Sequence, residues 1–148
     1  MKYFISFIVL CLSLKAFSQN PDYNPTLAKE LGADEYGMKM YTFVILKTGS
    51  ETVSQDSTQN LMRGHLENIN RLAEEGLLTV AGPFGKNELD YRGLFIFSES
   101  DTAKVKELLL SDPAVAAGVF ETEVIPWYGS AALPTYMETH EKIAKRNP

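Results

Sequence analysis

The apolar residues between positions 40 and 126 fall into six segments, and the order of these segments constrains the fold more than any other feature of the chain. Four segments alternate in polarity or are almost continuously apolar and β-branched, which predicts strands, and two repeat with the period of a helix. The predicted strands are residues 40–47, 77–81, 91–97 and 119–126, and the predicted helices are residues 60–75 and 101–110. Along the chain the order is therefore β-α-β-β-α-β.

This order is that of the ferredoxin-like split βαβ arrangement. We expect an α+β fold with a four-stranded antiparallel sheet and both helices on one face of that sheet. The other face of the sheet would then be bare. Because a second copy of the domain is the usual cover for such a face, we predict a homodimer.

The first 18 residues have the three parts of a signal peptide. Lys2 supplies the positive charge, residues 4–14 form an apolar run, and Ala16-Phe17-Ser18 places small residues before the cleavage point. The apolar run is about half of the ~20 residues that cross a bilayer as a helix, which argues against the alternative of a retained membrane anchor. We expect an exported protein, periplasmic or secreted, with no stable membrane insertion after cleavage.

Cleavage after Ser18 would change the composition of the chain. It would remove Cys11, the only cysteine, so that no disulfide and no thiol nucleophile would remain. It would also remove two of the 14 basic residues and none of the 19 acidic ones, which changes the net charge from −5 to −7. Because such a surface repels phosphate backbones, we expect no nucleic-acid partner.

The rest of the chain divides into three predicted parts. Residues 19–38 are a polar N-terminal extension, in which residues 25–31 predict a short helix that ends at Gly32. Residues 39–128 are the domain itself, and residues 48–59 within it are a predicted loop because they are polar and lack periodicity. Residues 129–148 are a C-terminal tail with a predicted polar helix around Tyr136 and Ile143.

Two residues are the candidate catalytic groups. His65 lies on the apolar face of the first helix, four residues from both Leu61 and Ile69, so its ring is expected to point towards the sheet. It is either a buried structural histidine or a general base or acid in a cleft. Asp112 precedes Pro113, as at many helix starts. Its carboxylate can cap that helix, orient His65, or do both with separate oxygens.

Four further residues are candidates for binding a substrate. Gly82, Pro83 and Phe84 follow the second strand, where they either end it or form the wall of a pocket that a ligand approaches closely. Trp127 ends the fourth strand and belongs to the core, to an interface or to the mouth of a pocket.

Metal and cofactor sites are not predicted. Two histidines, with no cysteine after cleavage, give no zinc-type spacing, and the chain has no P-loop and no G-x-G-x-x-G. Arg63, Lys86 and Arg92 could hold an anionic group, although each is also typical of solvated surface.

Three ordered motifs resemble the YCII-related domain family. They are H-L-x-x-I-x-x-L-x-x-x-G-x-L-x-x-A-G-P at residues 65–83, D-P-x-V-x-A-G at residues 112–118, and Pro-Trp at residues 126–127. The resemblance covers about residues 40–128, and the flanking segments LGADEYGMK and WYGSAAL resemble an exported subgroup.

This resemblance implies a dimeric α+β barrel of ferredoxin-like protomers with a pocket beside a histidine–aspartate pair. In this chain the pair is His65 and Asp112, and the matching wall residues are Gly82 and Pro83.

Two classes of function remain open at this point. The first is a cofactor-free lyase or isomerase that acts on a small molecule, anionic or not, through His65 and Asp112; a neutral His65 would take an acidic proton next to a carbonyl. The alternative is a non-catalytic periplasmic module that binds a small ligand or serves dimerisation. The sequence names neither a substrate nor a ligand.

Overall fold

The computed structural model describes residues 20–145, so the predicted signal peptide at residues 1–18 lies outside the described residues. The elements in chain order are α1 (Pro25–Leu31), β1 (Met38–Thr48), α2 (Gln55–Glu74), β2 (Leu78–Pro83), β3 (Tyr91–Phe97), α3 (Thr102–Leu109), α4 (Pro113–Ala116), β4 (Phe120–Ser130) and α5 (Met137–Ile143), with a 3-10 turn at Leu133–Tyr136 before α5.

The four strands form one antiparallel sheet in the order β2-β3-β1-β4. With α2 between β1 and β2 and α3 between β3 and β4, this is the ferredoxin-like topology, and the predicted α+β fold is confirmed. The two central strands, β1 and β3, carry the most continuously apolar sequences because both of their faces are at least partly covered.

One face of the sheet packs against α2, α3 and α4. Apolar side chains from both layers are buried there, which supplies the main favourable term for folding. The buried set is Val44, Leu46, Leu72, Leu78, Phe95, Phe97, Val105, Leu109, Ala114 and Phe120.

The helix α2 begins five residues earlier than the sequence indicates. Its first helical residue is Gln55 rather than Asn60, and Ser54 caps it with a side-chain oxygen that accepts from the backbone N–H of Ser57 at 3.3 Å. These first turns are largely solvent-exposed and carry no apolar stripe, so periodicity could not reveal them. The sequence also groups Leu66 with the apolar residues of this helix's inner face, but in the structure Leu66 is 45% exposed.

The strand β4 continues to Ser130, four residues beyond the predicted end at Pro126. It pairs with β1 along its whole length, from Phe120 opposite Thr48 to Ser130 opposite Met38. Because β4 is an edge strand, Pro126 can stand within it without removing a hydrogen bond that a further strand would need.

The C-terminal tail folds back on the end of the second sheet face. Tyr41 is fully buried on that face and donates a hydrogen bond to the carbonyl of Ser130 at 2.8 Å. Tyr136, in the 3-10 turn, donates to the carbonyl of Thr79 in β2 at 2.8 Å. The tail therefore covers part of the face that α2 and α3 leave bare.

The rest of that second face keeps apolar side chains in partial contact with solvent. We call this set the open face; by strand alternation it consists of Phe43, Ile45, Val80, Leu94, Ile125 and Trp127.

The N-terminal extension is tied to the same end of β4, through Tyr128. Asp34 accepts hydrogen bonds from the backbone N–H groups of Tyr36 and Met38 through one oxygen and from the phenol of Tyr128 through the other. The helix α1 itself buries none of its residues. No helix within residues 20–145 has the length and apolarity that a membrane crossing requires.

Two glycines allow the end of β1 to lie against the turn before β4. A Cβ on Gly49 would lie 2.0 Å from the carbonyl oxygen of Gly118, and Gly118 itself has φ +71°. The backbone N–H of Gly49 also donates to the carbonyl of Val119 at 2.9 Å. The chain can close here only because neither position carries a side chain.

We therefore expect Gly49→Ala to lower the free energy of unfolding by about 1–3 kcal/mol, because the new methyl group meets backbone rather than a flexible side chain. Urea denaturation of the purified protein measures the change. Gly85→Ala is the matched control, since a Cβ there meets nothing within 4 Å. Equal stability of the two variants would contradict the close approach.

The contact between Asp34 and Tyr128 predicts a dependence on pH. The hydrogen bond to Asp34 raises the pKa of Tyr128 to about 12, and the same bond lowers the pKa of Asp34. The stabilisation from the phenol is present below its ordinary pKa of about 10 and is lost as the pH rises through the raised value.

The difference in phenolate absorbance between the wild type and Tyr128→Phe should show a midpoint near pH 12, as that raised pKa requires. In the Asp34→Asn background the midpoint should move towards 10. A midpoint that is the same in both backgrounds would disprove the tether.

Candidate functional site

His65 lies at the centre of the inner face of α2. It is 6% exposed, and its ring packs against two phenylalanines: Phe95 from β3, with ring centroids 5.9 Å apart, and Phe120 from β4, with centroids 5.1 Å apart and the rings edge to face. The helical position directs the ring to the sheet, and the two aromatic rings hold its orientation.

Asp112 lies opposite His65, at the start of α4, and is 1% exposed. Its Oδ1 accepts hydrogen bonds from the backbone N–H groups of Ala114 at 2.9 Å and Val115 at 3.3 Å. Its Oδ2 lies 2.6 Å from Nδ1 of His65. One carboxylate thus caps the helix and meets the imidazole at the same time, each with a separate oxygen.

This contact determines which ring nitrogen of His65 can act as a base. A carboxylate accepts hydrogen bonds, so Nδ1 carries the proton and Nε2 of the neutral ring has the free lone pair. Nε2 has no hydrogen-bond partner among the residues described. Among residues 20–145, Thr42 Oγ1 is the one fully buried side-chain N or O atom without a hydrogen-bond partner. Since Nε2 of His65 also has no partner, it is not fully buried and keeps some accessible surface.

A cavity of about 310 Å³ opens beside His65, between α2 and the ends of β2 and β3. Its walls are mainly apolar, and its charged or titratable members are His65 and Arg92. The lining residues are Leu46, Met62, His65, Leu66, Ile69, Ala81, Gly82, Pro83, Arg92, Gly93, Phe95 and Phe120.

Two of the four predicted substrate-binding residues line this cavity, and two lie elsewhere. Gly82 and Pro83 form part of its wall at the end of β2. Phe84 lines a neighbouring cavity of about 520 Å³ in the β2–β3 hairpin, which shares Pro83 and Arg92 with the first. Trp127 is on the open face, against Tyr41 and Phe43, so the sheet separates it from His65.

Most of the cavity wall was not predicted from the sequence. Met62 and Ile69 flank His65 on α2 at spacings of three and four residues, so the helical period alone could have identified them. Leu66 lies one residue from His65, a spacing that does not indicate a shared face, and only the structure shows that it is 45% exposed at the opening. Phe120 belongs to a distant strand, and local pattern gives no sign of it.

The arrangement is suited to moving one proton at Nε2 in apolar surroundings. The carboxylate of Asp112 would stabilise the imidazolium that forms, as in other histidine–carboxylate pairs. Within residues 20–145 no three side chains of His, Cys, Asp or Glu come together as a metal site.

Solved structures that are similar to this chain include the following two. The 5-chloro-2-hydroxyhydroquinone dehydrochlorinase TftG of Burkholderia phenoliruptrix, in complex with 2,5-dihydroxybenzoquinone, is 25% identical, with a TM-score of 0.41, and the match covers 58% of this chain and 92% of that one. A dimeric protein of unknown function with a ferredoxin-like fold from Bacteroides fragilis is 15% identical, with a TM-score of 0.38, and the match covers 60% and 94%.

No curated protein matches the chain. The model of the YCII-related domain matches residues 40–128, which is more than half of the chain and includes His65, Asp112 and the wall residues Gly82 and Pro83. The chain therefore belongs to the YCII-related domain family.

Proposed function

We propose that this protein is a cofactor-free lyase or isomerase in which Nε2 of His65 removes an acidic proton from a small molecule held in the 310 Å³ cavity. The observation that carries this proposal is the 2.6 Å contact between His65 Nδ1 and Asp112 Oδ2. It leaves Nε2 as the accessible base in a cavity that is otherwise apolar.

The proposed step takes a proton from a carbon next to a carbonyl group. The C–H bond breaks, the proton moves to Nε2, and the electron pair is delocalised as an enolate. In a lyase reaction a group on the neighbouring carbon then leaves with its bonding pair, and in an isomerisation the imidazolium returns the proton to a different carbon. Asp112 orients the ring and stabilises its cationic form throughout.

The cavity supports a small and mainly apolar substrate. A volume of about 310 Å³ is at the lower end of the range for ligand pockets, so a single ring or a short chain fits it. Arg92 is part of the same wall and has no carboxylate within salt-bridge distance among the residues described, so it favours a substrate that also carries an anionic group.

Export is part of the proposal. Lys2, the apolar run at residues 4–14 and the small residues before Gln19 support cleavage and action outside the cytoplasm, in the periplasm or the medium. The substrate would then be a molecule that the cell meets or releases there.

A homodimer is also part of the proposal, since the open face presents apolar side chains from all four strands. Ile125 and Trp127 are 37% and 36% exposed, and Trp127 is held in place by Tyr41 and Phe43. A sheet face of this kind in a small domain is typically buried against another surface. The second copy would supply it.

The proton-transfer proposal is tested by deuterium exchange in D₂O, followed by proton NMR, on a panel of small carbonyl compounds with acidic α-hydrogens. We expect the wild type to catalyse exchange on some members. His65→Gln should lower that rate by about 10²–10⁴-fold, because the base is removed. Asp112→Asn should lower it as well, because an amide can hold the wrong tautomer.

The control variant is His140→Gln, which changes the other histidine of the chain, an exposed residue of α5. It should leave the exchange rate unchanged. If His65→Gln exchanges as fast as the wild type, the proposal is wrong. If panel members bind, by chemical-shift change, but none exchanges, the non-catalytic ligand-binding alternative is favoured.

The dimer is tested by sedimentation velocity at micromolar concentration. We expect a dimer for the wild type and a monomer for Ile125→Glu, because a charge on the open face costs several kcal/mol to bury. Leu110→Glu is the control: Leu110 is also an exposed aliphatic residue, 67% exposed, but lies at the end of α3 on the helical side. A monomeric wild type would rule the dimer out.

A further inference from the structure

The segment Ser111–Asp112–Pro113 lies along α2 and meets it at three successive levels. Pro113 packs against Gly64, Asp112 meets His65, and Ser111 meets Asn68 and Arg71. The pair proposed to move a proton is thus the middle contact of three. The outer two contacts involve residues to which no role has yet been given.

The contact at Gly64 fixes how closely the two segments approach. A Cβ at this position would lie 2.7 Å from Cγ of Pro113, which is closer than non-bonded carbon atoms approach in proteins. The proline ring cannot rotate away as a long side chain would. A glycine inside a helix is less favourable than an alanine, because its backbone loses more conformational freedom on folding. The helix α2 carries this cost at the residue next to His65.

The contact at Ser111 holds the other end of the Ser111–Asp112–Pro113 segment against α2. Arg71 donates from one nitrogen to Asn68 Oδ1 at 2.8 Å and to Ser111 Oγ at 3.1 Å, and Ser111 Oγ also lies 3.1 Å from Asn68 Oδ1. Ser111 Oγ donates to the carbonyl of Leu108 at 2.6 Å, which links the cluster to the last turn of α3. Glu75 accepts from the second terminal nitrogen of Arg71 and so holds its guanidinium plane.

We infer that Gly64, Asn68, Arg71 and Ser111 are positioning residues, which set the spacing and register of α2 against Ser111–Pro113 and so keep Asp112 bonded to Nδ1 of His65. The inference rests on the proposed function for its meaning in catalysis, but the geometry can be tested without a substrate. His65 and Asp112 are 47 residues apart in the chain and have short side chains, so neither can follow the other if α2 moves outward. A displacement of about 1 Å is enough to lower a rate roughly 10²-fold.

The first experiment uses long-range proton–nitrogen NMR of the full-length protein labelled with ¹⁵N-histidine, without ligand. For the wild type we expect His65 in the Nδ1–H form, with a hydrogen-bonded Nδ1 proton shifted to low field. For Gly64→Ala we expect loss of the low-field proton and a mixture of tautomers, although the gain in helix propensity favours a stable fold. An unchanged Nδ1 signal in Gly64→Ala would overturn the inference.

A rescue variant separates the spacing from a general effect of the substitution. Pro113→Ala removes the ring carbons that the new methyl group would meet, so Gly64→Ala combined with Pro113→Ala should recover the low-field proton, and Pro113→Ala alone should keep it. Failure of the double variant to recover the signal would contradict the steric argument.

The second contact is tested separately, so that the inference remains decidable if Gly64→Ala does not fold. Ser111→Ala and Arg71→Gln should each weaken the low-field signal, whereas Ser111→Thr, which keeps the hydroxyl group, should preserve it. Arg63→Gln, on an exposed position of the same helix, is the control for loss of a positive charge. Unchanged spectra for both Ser111→Ala and Arg71→Gln would exclude a positioning role for this cluster.

Deuterium exchange on the carbonyl panel then shows whether the spacing between α2 and Asp112 affects the rate of proton transfer. Gly64→Ala should lower the exchange rate by roughly 10–100-fold, mainly through kcat rather than KM, since it replaces no residue that lines the cavity. If the NMR signals change as expected but the wild type exchanges no compound, the positioning inference stands and the proposed function fails. If His65→Gln abolishes exchange while Gly64→Ala alters neither the NMR signal nor the exchange rate, the proposed function stands and the positioning inference fails.

Discussion

The whole site depends on one carboxylate, that of Asp112, which is almost completely buried and fully hydrogen-bonded. An ionised carboxylate in an apolar interior is costly unless donors surround it. Two backbone N–H groups at the start of α4 satisfy one oxygen, and the imidazole satisfies the other. The start of a helix and the proposed functional pair are therefore made from the same hydrogen bonds. A change that moves α4 must also disturb His65.

The fold was predictable wherever the apolar pattern was strong. The strand at residues 91–97 and the helix at residues 25–31 have the bounds that the sequence indicates, since Gly32 ends the helix and polar residues flank the strand. The first turns of α2 were not predictable, because they are exposed and polar and lack a stripe. The last residues of β4 were missed because Pro126 usually ends a strand, and only the edge position allows it to continue.

The site residues were predictable where a short stretch of sequence indicates their role. The spacing of His65 on its helix and the Asp-Pro start at Asp112 gave the two residues, and the family motifs brought them together. The faces of the sheet were harder to assign: Trp127 lies on the far side from His65, a fact that depends on the register of β4 against β1. The importance of Gly64 could not be read from the chain, because the atom it avoids belongs to a proline 49 positions later.

The separation of His65 and Asp112 along the chain has a consequence for how the protein matures. His65 belongs to the first strand–helix unit, and Asp112 follows the second, 47 residues later. Neither half alone contains the pair, and closing so long a loop has to precede the contact. The pair would thus form only after α2 and the segment that follows α3 have come together in one folded domain. A chain that crosses a membrane unfolded would cross it without this pair, and the proposed proton transfer would become possible only after folding on the far side.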